Sequence, residues 1–149
     1  MKKVIVFSYL FAVITAGCSS MDDKKDAPEG GLLKPCPSSP NCVSSLAEDP
    51  LHAIAPINHK GLTIAEAAEK MLSILKQEKR CTIVKAETGE LMYIHAEYRS
   101  AVFRFTDDVE FLFSSGENLI HVRSASRTGY SDFGVNRKRI EHLRELFNK

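Results

Sequence analysis

The sequence predicts an α+β fold in which a single antiparallel sheet of about five strands has two helices packed on one face. Three observations carry this expectation. A capped segment beginning at Thr63 repeats its apolar residues at helical spacing, the period changes to two between Cys81 and Ser126, and a second helical run extends from about Val135 to Phe147. Two amphipathic helices must bury their stripes against another element, and a sheet with one apolar face provides it.

Residues 1–17 read as a lipoprotein signal peptide. Lys2 and Lys3 supply the positive start, and Val4 to Ala16 is an apolar run. It is shorter than the ~20 residues that a membrane-spanning helix needs. Thr15-Ala16-Gly17-Cys18 resembles the lipobox of bacterial lipoproteins, although an aliphatic residue is more usual where Thr15 stands. The resemblance implies cleavage before Cys18, lipidation of its thiol, and a lipid bilayer as the first partner through acylated Cys18. Several acyl chains, palmitate among them, hold a protein stably where one is marginal. Ser19 is not the Asp that retains many lipoproteins at the inner membrane, so the expected place is the periplasm-facing side of the bacterial outer membrane.

Residues 18–34 form the lipidated Cys and a flexible tether, polar, with Pro28 and Gly30-Gly31 and no regular period. Residues 35–149 form one α+β domain. Removal of the signal peptide leaves about 130 residues, the size of a single domain. The mature chain would carry 18 basic against 19 acidic residues, a balance that excludes nucleic acid as the natural partner.

Cys36 and Cys42 enclose a loop dense in turn formers. In an oxidising periplasm the two are expected to form a disulfide, contributing about 2 kcal/mol in the chain-entropy model. Zinc is the rival occupant, disfavoured because the Cys spacing is wider than usual and His52 and His59 complete no zinc pattern. No motif implies a metal or a cofactor. Cys81 remains as an odd thiol at the start of an apolar strand, where a buried, inert role is expected.

Thr63-Ile64-Ala65-Glu66 matches a capping box, and Ile64, Ala67, Ala68, Met71, Leu72 and Leu75 form the stripe of the helix that follows. The alternation then predicts strands at Thr82 to Ala86, Met92 to Tyr98, Ala101 to Phe105, Val109 to Phe113 and Ile120 to Ser126. Thr88-Gly89, Arg99-Ser100, Asp107-Asp108 and Ser114-Ser115-Gly116 read as turns between them. In the closing helix Ile140, Leu143 and Phe147 face inward.

If the last hairpin loop holds six residues, Val109, Phe111 and Phe113 match Ser124, Val122 and Ile120 on one face. Glu110 then opposes Arg123 on the other, and His95, Glu97 and His121 join them. The simpler account of such a surface is solvent, since an antiparallel sheet can wet one face. The chemical account is a carboxylate and histidine site using His121 or His95 with Glu110 and Ser124. Asp107-Asp108-x-Glu110 could likewise suggest a metal, but paired acids are commoner in turns and no calcium-loop spacing follows.

Arg123 to Arg139 is the most informative segment. Arg137, Lys138 and Arg139 occupy the first turn of the closing helix, where positive charge opposes the helix dipole by a few tenths to ~1 kcal/mol each. Compensation can be internal, through Asp107, Asp108 or Asp132, or external, through an anion. The ligand-binding candidates are therefore Arg123, Arg127, Asn136, Arg137 and Arg139. Asn136 stands on the inward side and needs buried partners.

Cys36-Pro37-Ser38-Ser39-Pro40-Asn41-Cys42-Val43-Ser44-Ser45, Asp107-Asp108-Val109-Glu110-Phe111, Arg123 to Asp132, and Gly134 to Glu141 together resemble the domain of unknown function 1499 family, from about Leu33 to Phe147. The resemblance implies no particular activity. The function expected from the residues is that of a membrane-anchored envelope lipoprotein binding an anionic ligand or an envelope protein. The alternative is a hydrolase or transferase acting on cell-envelope material, which lacks a nucleophile elbow, a metal motif and a phosphate loop. A Cys18→Ala variant is expected to leave the membrane fraction still folded, and its retention there on fractionation would place the anchor elsewhere.

Overall fold

The computed structural model describes residues 33–87 and 92–149; the signal peptide, Cys18, most of the tether and the Thr88-Gly89 turn lie outside the described residues. In chain order the elements are β1 (Cys42–Ser44), β2 (Ile57–Asn58), α1 (Ile64–Gln77), β3 (Cys81–Glu87), β4 (Met92–Arg99), β5 (Thr106–Phe113), β6 (Leu119–Ser126) and α2 (Val135–Phe147). The strands form one antiparallel sheet in the order β1-β6-β5-β4-β3, with β2 also pairing β6. Both helices cover one face, as expected. Six strands stand where about five were predicted, because β1 and β2 are three and two residues long and show no period.

Thr63 starts α1 through the capping box: its Oγ1 accepts from the Glu66 N–H, and Glu66 Oε2 accepts from the Thr63 N–H at 2.8 Å. The buried stripe of Ala67, Ala68, Met71 and Leu75 meets Ile94, Ala96, Val109, Phe111, Phe113, Ile120 and Val122 from the sheet and Ile140, Leu143 and Phe147 from α2. Full burial of side chains such as Phe111 supplies roughly 1.5–3 kcal/mol each. The hairpin register is the predicted one, with Val109 opposite Ser124, Phe111 opposite Val122 and Phe113 opposite Ile120.

Two readings are corrected. Ala101–Phe105 is a turn rather than a strand, closed by the Ser100 N–H donating to Phe105 O at 2.9 Å, and its apolar side chains face solvent. Asp107 and Asp108 are not turn residues: β5 begins at Thr106, so Asp107 points toward the helices and Asp108 toward the opposite face. Burial with arginine partners overrides the turn preference of paired acids.

Asn136 joins the elements at the β6–α2 junction. It is fully buried; Oδ1 accepts from Ser124 Oγ and Arg139 Nη1, both at 2.6 Å, and Nδ2 donates to Asn41 O and Ser126 Oγ, both at 3.0 Å. Asn41 continues the link by donating to Gly129 O at 2.6 Å. Gly129 itself has φ +88°, a left-handed conformation that glycine adopts freely. Asn136→Ala leaves Ser124, Arg139 and Asn41 short of buried partners and is expected to cost about 3 kcal/mol, read as a fall in the urea midpoint.

Candidate functional site

The face of the sheet away from the helices carries the charges that alternation predicted, but it is not wet. His95, Asp108 and Glu110 are 7%, 5% and 6% exposed. The chain before β1 supplies part of the cover, since Leu33 packs with Tyr93 and Leu112. The Cys36–Cys42 disulfide, which forms as expected, closes the loop that leads from this cover into β1. Solvent exposure as the explanation of this face is therefore overturned; each charge needs a partner inside the protein.

The partners are specific. Glu110 opposes Arg123 in register, and Arg123 Nη1 donates to Glu110 Oε2 at 2.7 Å while Tyr93 Oη donates to Oε1 at 2.7 Å. His95 Nε2 lies 2.9 Å from Asp108 Oδ1. Arg127 donates to both Asp108 oxygens, from Nε at 3.0 Å to Oδ2 and from Nη2 at 2.7 Å to Oδ1, and also pairs with Glu97. The Asp108 hydrogen bond, with Glu97 adding to it, raises the Arg127 pKa further. Burial, then the neighbouring Glu110 carboxylate, pushes the Tyr93 phenol up, so Tyr93 serves as a neutral donor.

Between these groups lies a cavity of about 110 Å³ lined by Lys34, Tyr93, His95, Asp108, Glu110, Arg123, Ala125 and Ser126. It is somewhat smaller than the ~150 Å³ engineered cavity that takes up benzene, and so has room for a small polar group. Among the described residues, Arg123 Nε is buried without a hydrogen-bond partner. Lys34 makes no ion pair among them. The carboxylates are already engaged, so the unused capacity at this cavity is that of donors.

The other ligand-binding candidates are held elsewhere. Arg137 donates to Ala53 O at 2.7 Å and Leu51 O at 2.9 Å, fastening α2 to the loop before β2. Arg139 pairs with Asp107 at 2.7 Å, and its guanidinium lies 4.6 Å from the centre of the Tyr98 ring. Asp132 accepts from the Gly134 and Asn136 N–H groups at 2.9 and 2.8 Å, putting a carboxylate at the start of α2. Arg123 alone of the five candidates lines the cavity; Lys34 and Tyr93 were not singled out from sequence, Lys34 because it stood within the tether.

Of the catalytic grouping suggested by sequence, His95 and Glu110 come together as register partners lining the cavity, whereas Ser124 and His121 do not join them. Ser124 is buried on the helix face against Asn136, and His121 contacts Ser45 Oγ at 3.3 Å and Glu117 at 3.7 Å. Burial pushes the Cys81 thiol pKa up, which disfavours the thiolate. Among the described residues no group of three His, Cys, Asp or Glu side chains could hold a metal ion, and no helix is long and apolar enough to cross a membrane.

A second histidine pair secures the loops beneath β1. His52 is buried, with Ser39 O 3.1 Å from Nε2 and Asp49 Oδ1 2.9 Å from Nδ1, so an acceptor faces each ring nitrogen. The Ser39 carbonyl contributes most to a raised His52 pKa, and Asp49 adds to it; the hydrogen bond from His52 holds the Asp49 carboxyl below its ordinary range.

A family model described as a protein of unknown function, DUF1499, matches residues 32–147. No curated protein and no solved structure matches the chain.

Because the folded-state pKa of His52 is raised, its contribution to stability is complete below the unfolded value of ~6.5 and is lost as pH rises through the folded value. Wild type is therefore expected to exceed His52→Asn in urea midpoint by more at pH 5.5 than at pH 8.5. A pH-independent difference would show that the proton carries none of it.

Proposed function

The chain belongs to the DUF1499 family, and from the geometry of its charged sheet face we propose that it is a membrane-anchored envelope lipoprotein that binds a small anionic ligand in the cavity beside Arg123. The anchor rests on the lipobox-like Thr15-Ala16-Gly17-Cys18 and the apolar run before it. The ligand rests on one observation: two cationic side chains, Arg123 and Lys34, line the cavity beside carboxylates that are already paired, and among the described residues Lys34 makes no ion pair. A carboxylate or phosphate group supplies acceptors for these cations, and a second cation has no unpaired carboxylate to meet.

Binding is favoured over turnover by the lining itself. Its hydroxyls are committed, Ser126 Oγ accepting from Asn136 and Tyr93 Oη donating to Glu110. His95 lies against Asp108, the carboxylate that Arg127 also pairs, rather than against a nucleophile.

Inorganic phosphate and acetate are the probes, followed by amide and imidazole NMR shifts. Shifts are expected to centre on Tyr93, His95 and Arg123. Lys34→Gln, which breaks no pairing among the described residues, is expected to weaken binding about tenfold, the equivalent of ~1.4 kcal/mol. Shifts scattered over the surface, or unchanged by Lys34→Gln, would refute the site.

A further inference from the structure

The end of the sheet where β4 turns into β5 presents a second surface, distinct from the cavity. Three connections meet there: residues 78–80 between α1 and β3, 100–105 between β4 and β5, and 127–134 between β6 and α2. Backbone hydrogen bonds hold them together, the Arg99 N–H donating to Arg80 O and the Arg127 N–H to Thr106 O, both at 3.0 Å.

Val102, Phe103, Phe105, Tyr130, Phe133 and Val135 make up six of the nine exposed large apolar side chains of the described residues, so apolar exposure is concentrated at this end. Phe103 and Phe133 are 75% and 89% exposed. The Phe103 and Phe105 rings stack with centroids 5.5 Å apart. Phe133 has φ 54° and Arg104 has φ 55°, left-handed conformations unusual for bulky residues, so the backbone presents these side chains outward without any packing that would reward it.

Charge identifies the occupant. Lys79, Arg80, Arg99, Arg104 and Lys138 are exposed around the same loops, and none pairs with a carboxylate of the described residues. The acids nearby are engaged: Glu78 with His142, Asp107 with Arg139, and Asp132 with the backbone at the start of α2. An open depression of about 580 Å³, whose lining includes Lys79, Arg80, Arg99 and Lys138, lies beside the aromatic loops.

We propose that this end docks on an anionic lipid bilayer surface, Phe103 and Phe133 entering the boundary between headgroups and acyl chains while the five cations meet lipid phosphates. Of the six apolar side chains only Val135 lines that depression; the phenylalanines project from the loops beside it rather than forming a groove for a shaped protein segment. A fluid bilayer accepts protruding aromatics without a complementary shape, and basic residues flanking aromatics suit its interface. The contact requires no acylation of Cys18, so it can fail while that anchor stands, and the reverse.

The chain contains no Trp, so Phe133→Trp in the full chain installs a single reporter at the loop tip. Ser115→Trp, in the β5–β6 turn at the far end of the sheet, is the control. With phosphatidylcholine vesicles containing phosphatidylglycerol, the Phe133→Trp emission is expected to shift to the blue and to be quenched by brominated lipid, while the control stays unshifted. High salt reverses the response. Adding Arg99→Glu and Arg104→Glu is expected to raise the lipid concentration at half-response at least about tenfold, since each cation near an anionic surface contributes about fivefold. An unshifted Phe133→Trp emission on vesicle-bound protein overturns the proposal, and is the result expected if the loops serve a protein partner or if the N-terminal segment alone binds lipid. An equal response on phosphatidylcholine alone also overturns it.

Discussion

Strand β5 places three carboxylates in desolvated positions, and each takes an arginine from the segment that follows: Asp107 with Arg139, Asp108 with Arg127, and Glu110 with Arg123. A buried charge pair is a poor source of net stability, because desolvation offsets most of the attraction, yet losing one partner is strongly destabilising. The three pairs therefore act as a constraint on arrangement. They fix the face that each residue of β5 presents, the path of the chain out of β6 and the rotation of α2 against the sheet. Asn136 tightens the same junction by joining β6, α2 and the carbonyl of Asn41.

Strands β4 to β6 are largely buried on both faces, with hydrocarbon and the Asp107–Arg139 pair toward the helices and the other two charge pairs on the reverse. The chain before β1 helps to make this possible: Leu33 packs on Tyr93 and Leu112, and Asn41 holds the Gly129 loop. Helix α2 is also fastened by arginines. Arg137 and Arg144 of α2 donate to backbone carbonyls of Leu51, Ala53, Ala55 and Pro56, satisfying the acceptors of a segment with little regular structure of its own.

Both helices and their inward stripes, the capping box of α1, and the β5–β6 register could be read from sequence because each depends on spacing along the chain. The Glu110 and Arg123 pairing follows from that register alone. Ala101–Phe105 misled because its run of β-branched and aromatic residues reads like a strand, while its large apolar groups face outward. Asp107 and Asp108 misled because adjacent acids favour turns when exposed, and nothing local shows that arginines distant in sequence will bury them. The cavity was illegible for the same reason: its cover begins at Leu33 and Lys34, the last residues of the predicted tether, whose polar composition hides that Leu33 packs.

The paired face also bears on the proposed anion site. A site built from uncompensated charges would shift pKa values or rearrange, whereas here two arginines and a tyrosine hold Asp108 and Glu110 in place, with Arg123 and Lys34 lining the small space beside them. The proposed anion would complete a network already fixed in geometry, so little ordering cost would accompany its binding. Such a ligand meets its donors only in the folded chain and stabilises the fold by mass action. Occupancy and the cohesion of the β5 and β6 charge pairs then rise together, which ties the cavity to the same pairs that fix the path of the chain.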